Sequence, residues 1–209
     1  MEIATLFFLV ILIFSIIIHE IAHGVVADQL GDPTARLAGR LTLNPVPHID
    51  PLGSIILPAL MLVGSSAVGH PFAFGWAKPV PYNPYNLRHG RLGVTLVGVA
   101  GVAANFLIAI IFGLMIRFHA ELGIVGGSAF YEILGTIVWT NIILGVFNLI
   151  PIPPLDGAKV LFSLLPQRFE AIHDTMERNW IVFLVFVFFF AQYIILPISG
   201  LFFSAVTGQ

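Results

Sequence analysis

Four long apolar segments dominate the sequence. They run from Ile3 to about Leu30, from Leu92 to Ile116, from Ala129 to Ile150, and from Trp180 to about Val206. A helix of about 20 apolar residues is long enough to cross the hydrocarbon core of a bilayer. Hydrophobic residues make up 58% of the chain and charged residues only 10%, a composition that lipid solvates far better than water does. The sequence therefore predicts an all-α polytopic membrane protein with about four spanning helices.

A fifth apolar stretch, Leu52 to Val68, is shorter and contains Pro58 near its middle. Its length and its proline leave two alternatives, a short spanning helix or a re-entrant segment buried within the protein. No stretch of the chain is long enough to form a separate soluble domain. We therefore expect residues 1–209 to form a single membrane-embedded domain.

Two polar stretches rich in proline and glycine, residues 31–51 and 70–91, connect the first apolar segments. Within them, residues 36–43 and 72–80 alternate partly between apolar and polar side chains, which is the pattern of a strand. The sequence thus predicts short β-strands in these loops.

Composition restricts the possible chemistry. Cysteine is absent, which excludes a cysteine nucleophile and thiolate metal ligands and leaves histidine and carboxylate as the available zinc ligands. The few basic residues are dispersed along the chain, so nothing indicates a nucleic-acid partner.

The run His19-Glu20-Ile21-Ala22-His23 lies in the second half of the first apolar segment. Residues four apart lie on one face of a helix, so His19 and His23 can bind one metal ion, with Glu20 beside them to take a proton from a metal-activated water. On a soluble helix this pattern often marks a solvated surface. Inside a membrane span, however, three such side chains raise the free energy of membrane insertion by several kcal/mol, a cost that a sequence rarely carries without function. The sequence therefore predicts His19 and His23 as metal ligands and Glu20 as a catalytic base.

A tetrahedral catalytic zinc site needs a third protein ligand and keeps its fourth position for water. Asp156 is the best candidate, because it follows the third apolar segment and precedes Gly157. It could also be a helix N-cap, a role for which Asp is favoured. Other possible ligands lie in loops or at the ends of spans: His48, His70, His89 and Glu132.

The position of Asp156 leads to a topology prediction. If Asp156 and the histidine pair lie at one depth, the first and third long segments run in the same direction and an odd number of crossings joins them. Two apolar segments lie between them, so one does not cross, and residues 52–68 are the better candidate. Arg117 then lies alone on one face of the membrane. The other basic residues all lie on the opposite face: Arg36, Arg40, Lys78, Arg88, Arg91, Lys159, Arg168 and Arg178. By the positive-inside rule this face is cytoplasmic and the N-terminus is outside.

Two asparagines lie within or at the end of spans. Asn148 precedes the break made by Pro151 and can donate an amide N–H to a substrate backbone or to a developing oxyanion, so we expect a catalytic role for it. Asn105 lies on a face with Gly98, Gly101 and Ala104, where a packing role and a role near the site are both open.

These residues resemble the site-2 protease family of intramembrane zinc metalloproteases, in its compact bacterial branch without PDZ or CBS domains. The resemblance is carried by His19 to His23, Gly101 to Asn105, Asn148 with Pro151, Leu155-Asp156-Gly157, and residues 31–36 and 74–81. It implies one catalytic zinc ion held by His19, His23 and Asp156, with Glu20 as the base. It also implies hydrolysis of peptide bonds in transmembrane substrates at the bacterial cytoplasmic membrane. Because a helical substrate hides its peptide groups, our own hypothesis is that it is presented extended and pairs with a strand from 36–43 or 72–80.

Two other functional classes remain. Intramembrane histidines and carboxylates also line the ion pathways of metal or proton transporters, although here the ligands converge on one point. An inert metal-binding scaffold would not need Glu20. Nothing in the sequence indicates an oligomeric state.

Overall fold

The computed structural model describes residues 3–56, 60–61 and 75–209. Its helices are α1 (Ile3–Gln29), α2 (Thr34–Leu37), α3 (Arg91–Arg117), α4 (Ser128–Asn148), α5 (Asp156–Leu164), α6 (Glu170–Arg178) and α7 (Trp180–Thr207). The connections contain 3-10 turns at Val46–His48, Pro84–Asn86 and Gln167–Phe169 and a π-helical turn at Pro51–Ile56. The described ranges contain no strand, so the predicted all-α fold is confirmed.

Within the described part of the chain, three helices are long and apolar enough to cross a membrane: Thr5–Gln29 within α1, all of α3 and all of α4. The fourth predicted span coincides with α7, in which the stretch Tyr193–Thr207 forms an apolar helix of fewer than 18 residues when only fully described residues are considered. The predicted total of about four spans is therefore not confirmed. Most of the fifth apolar stretch, 52–68, lies outside the described residues.

Helix α3 is the central helix and packs against α1, α4, α5 and α7. It runs antiparallel to α1, because Asn105 contacts His19 whereas Val97, two turns earlier in α3, contacts His23. The glycines of α3 that face these neighbours are buried. Small residues let two helix backbones approach closely, which is how helices pack where the surrounding lipid is as apolar as they are.

Helix α4 runs parallel to α1. Asn141 of α4 contacts Ser15 of α1, and Asp156, beyond the C-terminal end of α4, contacts the two histidines nearer the end of α1. This is the relative direction that the sequence argument required. The apolar core between α3, α4 and α7 is formed by Ala109, Ile116, Leu134, Val138, Ile142, Val146 and Ile195.

The two ends of the connection between α1 and α3 contact each other. Arg88 N donates to Leu30 O at 2.8 Å, and the fully buried Asp32 carboxylate accepts from Asn83 N at 2.6 Å and from Asn86 Nδ2 at 3.0 Å. Burial alone would raise the pKa of Asp32, but these donors and Thr34 hold it below its usual range. The Asp32 carboxylate therefore joins the two ends of the connection.

The strand predicted over residues 36–43 is wrong. Thr34–Leu37 is one turn of helix, and the backbone hydrogen bonds that follow are local, such as Arg40 N to Ala35 O at 2.9 Å. The alternation does not separate an inner from an outer face, because Leu37 is 80% exposed while the charged Arg40 is buried. Partial alternation over eight residues is thus too weak to specify a strand here.

The second strand, predicted over 72–80, is not found in its described part, residues 75–80. This part, which we call the cover segment, has neither helical structure nor a paired strand. Its alternate N–H groups donate to different partners: Trp76 to Gly53 O at 3.1 Å, Lys78 to His48 O at 2.9 Å, and Val80 to a side chain of α1. Residues 72–74 lie outside the described ranges.

Candidate metal centre

Three ligand atoms converge at the junction of α1 and α5. His19 Nε2 lies 3.0 Å from His23 Nε2, and both lie within hydrogen-bond distance of Asp156 Oδ2, at 2.9 and 3.0 Å respectively. All three residues are buried. The edges of this triangle approach the ~3.3 Å expected between ligands of a tetrahedral zinc ion with bonds of about 2.0–2.1 Å.

The other nitrogen of each imidazole faces an acceptor on α3. His23 Nδ1 lies 2.6 Å from the backbone O of Val97, and His19 Nδ1 lies 2.6 Å from Asn105 Oδ1. A backbone carbonyl only accepts, so the proton of neutral His23 is on Nδ1 and the lone pair of Nε2 points into the triangle. Two imidazole lone pairs and a carboxylate oxygen then face one another at about 3 Å, an arrangement that a cation stabilises. This donor set fits a zinc ion.

Asp156 is placed by a tight turn between α4 and α5. A Cβ at Gly157 would collide with the backbone carbonyls of Leu149 and Ile150, so only glycine allows the chain to turn back here. Asp156 is the first residue of α5, and its Oδ1 accepts from Lys159 Nζ at 2.9 Å. Burial would lower the pKa of Lys159, but the Asp156 carboxylate raises it. The charged ammonium of Lys159 thus donates a hydrogen bond to the Asp156 oxygen that does not face the histidines.

Gly101 forms the wall of the triangle on the α3 side. A Cβ at this position would lie 2.5 Å from His23 Nε2 and 2.6 Å from His19 Nε2. Any side chain here would therefore occupy the space next to the ligand atoms. Close packing of α3 on the histidines requires glycine.

A cavity of about 720 Å³ opens beside the ligands. Glu20, Asn148 and Lys159 line it, and the cover segment forms part of its wall. Glu20 Oε2 accepts a hydrogen bond from Val80 N at 2.7 Å. Buried Arg40 donates from Nη2 to the carbonyls of Lys78 and Pro79 at 2.6 and 3.2 Å, and so holds the backbone just before that N–H.

The structure brings the main predicted site residues together. Asn148 lies in the wall of the cavity, with its Nδ2 donating to Leu144 O at 2.9 Å. Among the described residues, only His19, His23 and Asp156 form a group that could hold a metal ion. Of the other possible ligands, His48, His89 and Glu132 are not in this group and His70 lies outside the described residues.

Sequence reasoning missed several contacts of the site. Lys159 lies one helical turn after Asp156, a spacing at which side chains meet. A helix assigned to residues 156–164 would therefore have predicted the contact between Lys159 and Asp156. Asn141 lies within an apolar span, and a polar residue there is itself a signal. The N–H of Val80 carries no signal in the sequence.

Comparison with known proteins identifies related proteases. The model of peptidase family M50 matches residues 119–192. YwhC of Bacillus subtilis, whose name describes a zinc metalloprotease, is 37% identical over 197 residues that cover 91% of this chain and 84% of YwhC. No solved structure matches the chain.

More distant relatives are longer than this chain. Rip2 of Mycolicibacterium smegmatis, also named as a zinc metalloprotease, is 29% identical over 83% of this chain and 63% of its own length. The zinc metalloprotease MJ0392 of Methanocaldococcus jannaschii is 25% identical over 79% of this chain and 36% of its own length. The chain thus spans less than two thirds of these two relatives.

Proposed function

The chain belongs to peptidase family M50, the site-2 proteases, and is an intramembrane zinc metalloprotease; on this basis we propose that His19, His23 and Asp156 hold its zinc ion and that Glu20 is its general base. The convergence of two imidazole lone pairs and one carboxylate oxygen at 2.9–3.0 Å carries this proposal. A transporter finds no support, because the relatives are named as metalloproteases.

Each residue has a defined part in the proposed reaction. Zinc, when bound, polarises the scissile carbonyl and makes a water molecule more acidic. Glu20 accepts the proton of the attacking water and delivers it to the leaving amine, while the Val80 N–H holds the carboxylate towards the cavity. The Asn148 amide, in the wall of the same cavity, donates a hydrogen bond to the developing oxyanion.

Removal of any one ligand tests the assignment. We expect His19→Ala, His23→Ala and Asp156→Ala each to lose the bound zinc, because two remaining ligands hold the ion far more weakly than three. Zinc content is measured by elemental analysis of the purified, folded protein. His119→Ala, which removes an exposed imidazole at the far end of α3, is the control and should retain one zinc ion per chain. A ligand variant with full zinc content would refute its assignment.

The substrate is embedded in the membrane, and its scissile segment must be extended to reach the site, because a helix hides its peptide groups. The cover segment suits such a partner. Residues 75, 76, 77 and 79 line the cavity, and the N–H groups of 76, 78 and 80 already donate to Gly53, His48 and Glu20. We place a substrate strand along this edge, paired with the backbone of Ala77.

Substitution of Ala77 separates backbone pairing from side-chain effects. Ala77→Pro removes the N–H and is expected to raise KM for a transmembrane peptide roughly 5-fold or more, the equivalent of about one hydrogen bond, with zinc content unchanged. Ala77→Ser keeps the N–H and should behave as the wild type. Equal KM values for the two variants would exclude pairing at this residue.

In the proposed topology, α1, α3, α4 and α7 cross the bacterial cytoplasmic membrane, the N-terminus is outside and residues 52–68 do not cross. One observation supports this. Trp76 N donates to Gly53 O, so the chain on the two sides of residues 57–74 meets at one level. Residues 1–209 then form one domain, since α1, α3, α4 and α5 all contribute to the site.

Cysteine labelling tests the topology, because the chain contains no cysteine of its own. In intact cells, a membrane-impermeant thiol reagent should label Glu121→Cys, in the loop after α3, and should not label Lys78→Cys until the cells are opened. External labelling of Lys78→Cys would contradict the proposed topology.

A further inference from the structure

Three polar side chains are buried behind His19, between α1, α3 and α4: Ser15, Asn105 and Asn141. Both asparagines are 0% exposed. The proposed chemistry uses none of the three directly. Two buried carboxamides and a hydroxyl within membrane spans carry a desolvation cost unless each polar atom is paired with a hydrogen-bond partner.

The hydrogen bonds form one continuous path from α4 to the metal ligand. Asn141 Nδ2 donates to Ile137 O and to Ser15 Oγ, both at 2.9 Å. Asn141 Oδ1 then accepts from Asn105 Nδ2 at 2.9 Å, and Asn105 Oδ1 lies 2.6 Å from His19 Nδ1.

Backbone carbonyls determine the direction of this path. Ile137 O can only accept, so the amide nitrogen of Asn141 faces it and the amide oxygen faces Asn105. Ser15 O, 3.5 Å from Asn105 Nδ2, favours the same orientation of the second amide. Asn105 therefore presents its oxygen to His19, and the ring nitrogen opposite must be the protonated one.

We propose that Asn141 is a positioning residue for zinc, which acts by orienting the Asn105 amide and thereby keeps the proton of His19 on Nδ1 and the lone pair of Nε2 towards the metal. This inference rests on the proposed role of His19 as a ligand. His23 needs no such relay, because its Nδ1 meets the carbonyl of Val97 directly. Among its described contacts, His19 Nδ1 meets no backbone acceptor. The side-chain amide of Asn105, oriented by that of Asn141, supplies an acceptor instead.

Without Asn141, the orientation of Asn105 is no longer imposed from α4. Its carboxamide can rotate and present Nδ2 to His19, which then accepts on Nδ1 and carries its proton on Nε2. A proton on Nε2 occupies the lone pair that zinc needs. The membrane interior offers no bulk water to take the place of the lost partner.

The test uses ring ¹⁵N NMR of the metal-free protein and zinc affinity of the same preparation. Wild type should show His19 as the Nδ1–H tautomer. Asn141→Leu, similar in volume and unable to hydrogen-bond, should show a mixture containing the Nε2–H tautomer and a zinc Kd raised about 10–100-fold, the usual effect of losing an outer-shell partner. Thr140→Val is the matched control: it removes the neighbouring buried hydroxyl of α4, which has no hydrogen-bond partner, and should change neither measurement.

A rescue experiment distinguishes positioning from general destabilisation. In Asn105→Asp, the side-chain carboxylate accepts from His19 in either orientation, because both of its oxygens are acceptors. In an Asn105→Asp background, Asn141→Leu should therefore leave the His19 tautomer unchanged. Persistence of the tautomer shift in that background would overturn the proposal.

Two further results would also overturn it: an unchanged tautomer and Kd in Asn141→Leu, or an Nε2–H tautomer in the wild type, which needs no variant to fold. Failure of the zinc assignment itself would give a different result. In that case His19→Ala would retain zinc, while the tautomer of the metal-free wild type would still report on the path from Asn141.

Discussion

Glu20→Gln is expected to keep one zinc ion per chain and to lower kcat for a transmembrane peptide by about 10²–10⁴-fold, the usual contribution of general acid–base catalysis. Glutamine has the size of glutamate, and its amide oxygen can still accept from the Val80 N–H that now binds Glu20 Oε2. It cannot take a proton from water. Turnover of the reconstituted protein and its zinc content are measured together.

Glu170→Gln is the control for this experiment. It makes the same chemical change at an exposed position at the start of α6 and should not alter turnover. Undiminished cleavage by Glu20→Gln would reject Glu20 as the base. Loss of zinc from Glu20→Gln would instead mean that Glu20 is needed to keep the metal ligands able to bind zinc.

Gly101→Ala should abolish zinc binding and, with it, cleavage. The added methyl group would lie 2.5 Å from His23 Nε2 and 2.6 Å from His19 Nε2, well inside van der Waals contact. Helix α3 cannot easily move away, because it also packs against α4, α5 and α7. Zinc content and the thermal stability of the metal-free protein are the measurements.

Gly135→Ala is the matched control for Gly101→Ala. It lies in α4, where a Cβ would meet no atom within 4 Å. Both substitutions raise intrinsic helix propensity by up to about 1 kcal/mol, so unfolding by loss of helix propensity cannot explain a difference between them. Full zinc content in Gly101→Ala would mean that the metal does not bind next to Gly101, which would contradict the proposed site.

The parts of the site that follow from helical periodicity could be predicted from the sequence. His19 and His23 are four residues apart in an apolar helix, and their cost in a membrane made a functional role compelling. Asp156 was predicted from its position just after the third apolar segment and before Gly157, and the structure brings it to 2.9–3.0 Å from both histidines. Local spacing and depth in the membrane were sufficient for these residues.

The parts that depend on tertiary contacts could not be predicted. Whether 36–43 pairs as a strand depends on a neighbouring edge, and Arg40 instead turns inward to the carbonyls of the cover segment. Asn141 and Asn105 come from different helices, so their contact follows from the packing of α3 on α4. The hydrogen bond from Val80 to Glu20 joins a loop backbone to a helix 60 residues away in sequence.

Zinc-dependent cleavage can be measured by removing the metal from one preparation of the wild-type chain, reconstituted in lipid with a transmembrane peptide, and then returning it. We expect one zinc ion per chain and cleavage of the peptide, loss of both on chelation, and recovery of both when one equivalent of zinc is returned. Cleavage that continues at full rate after the zinc has been removed would contradict this expectation.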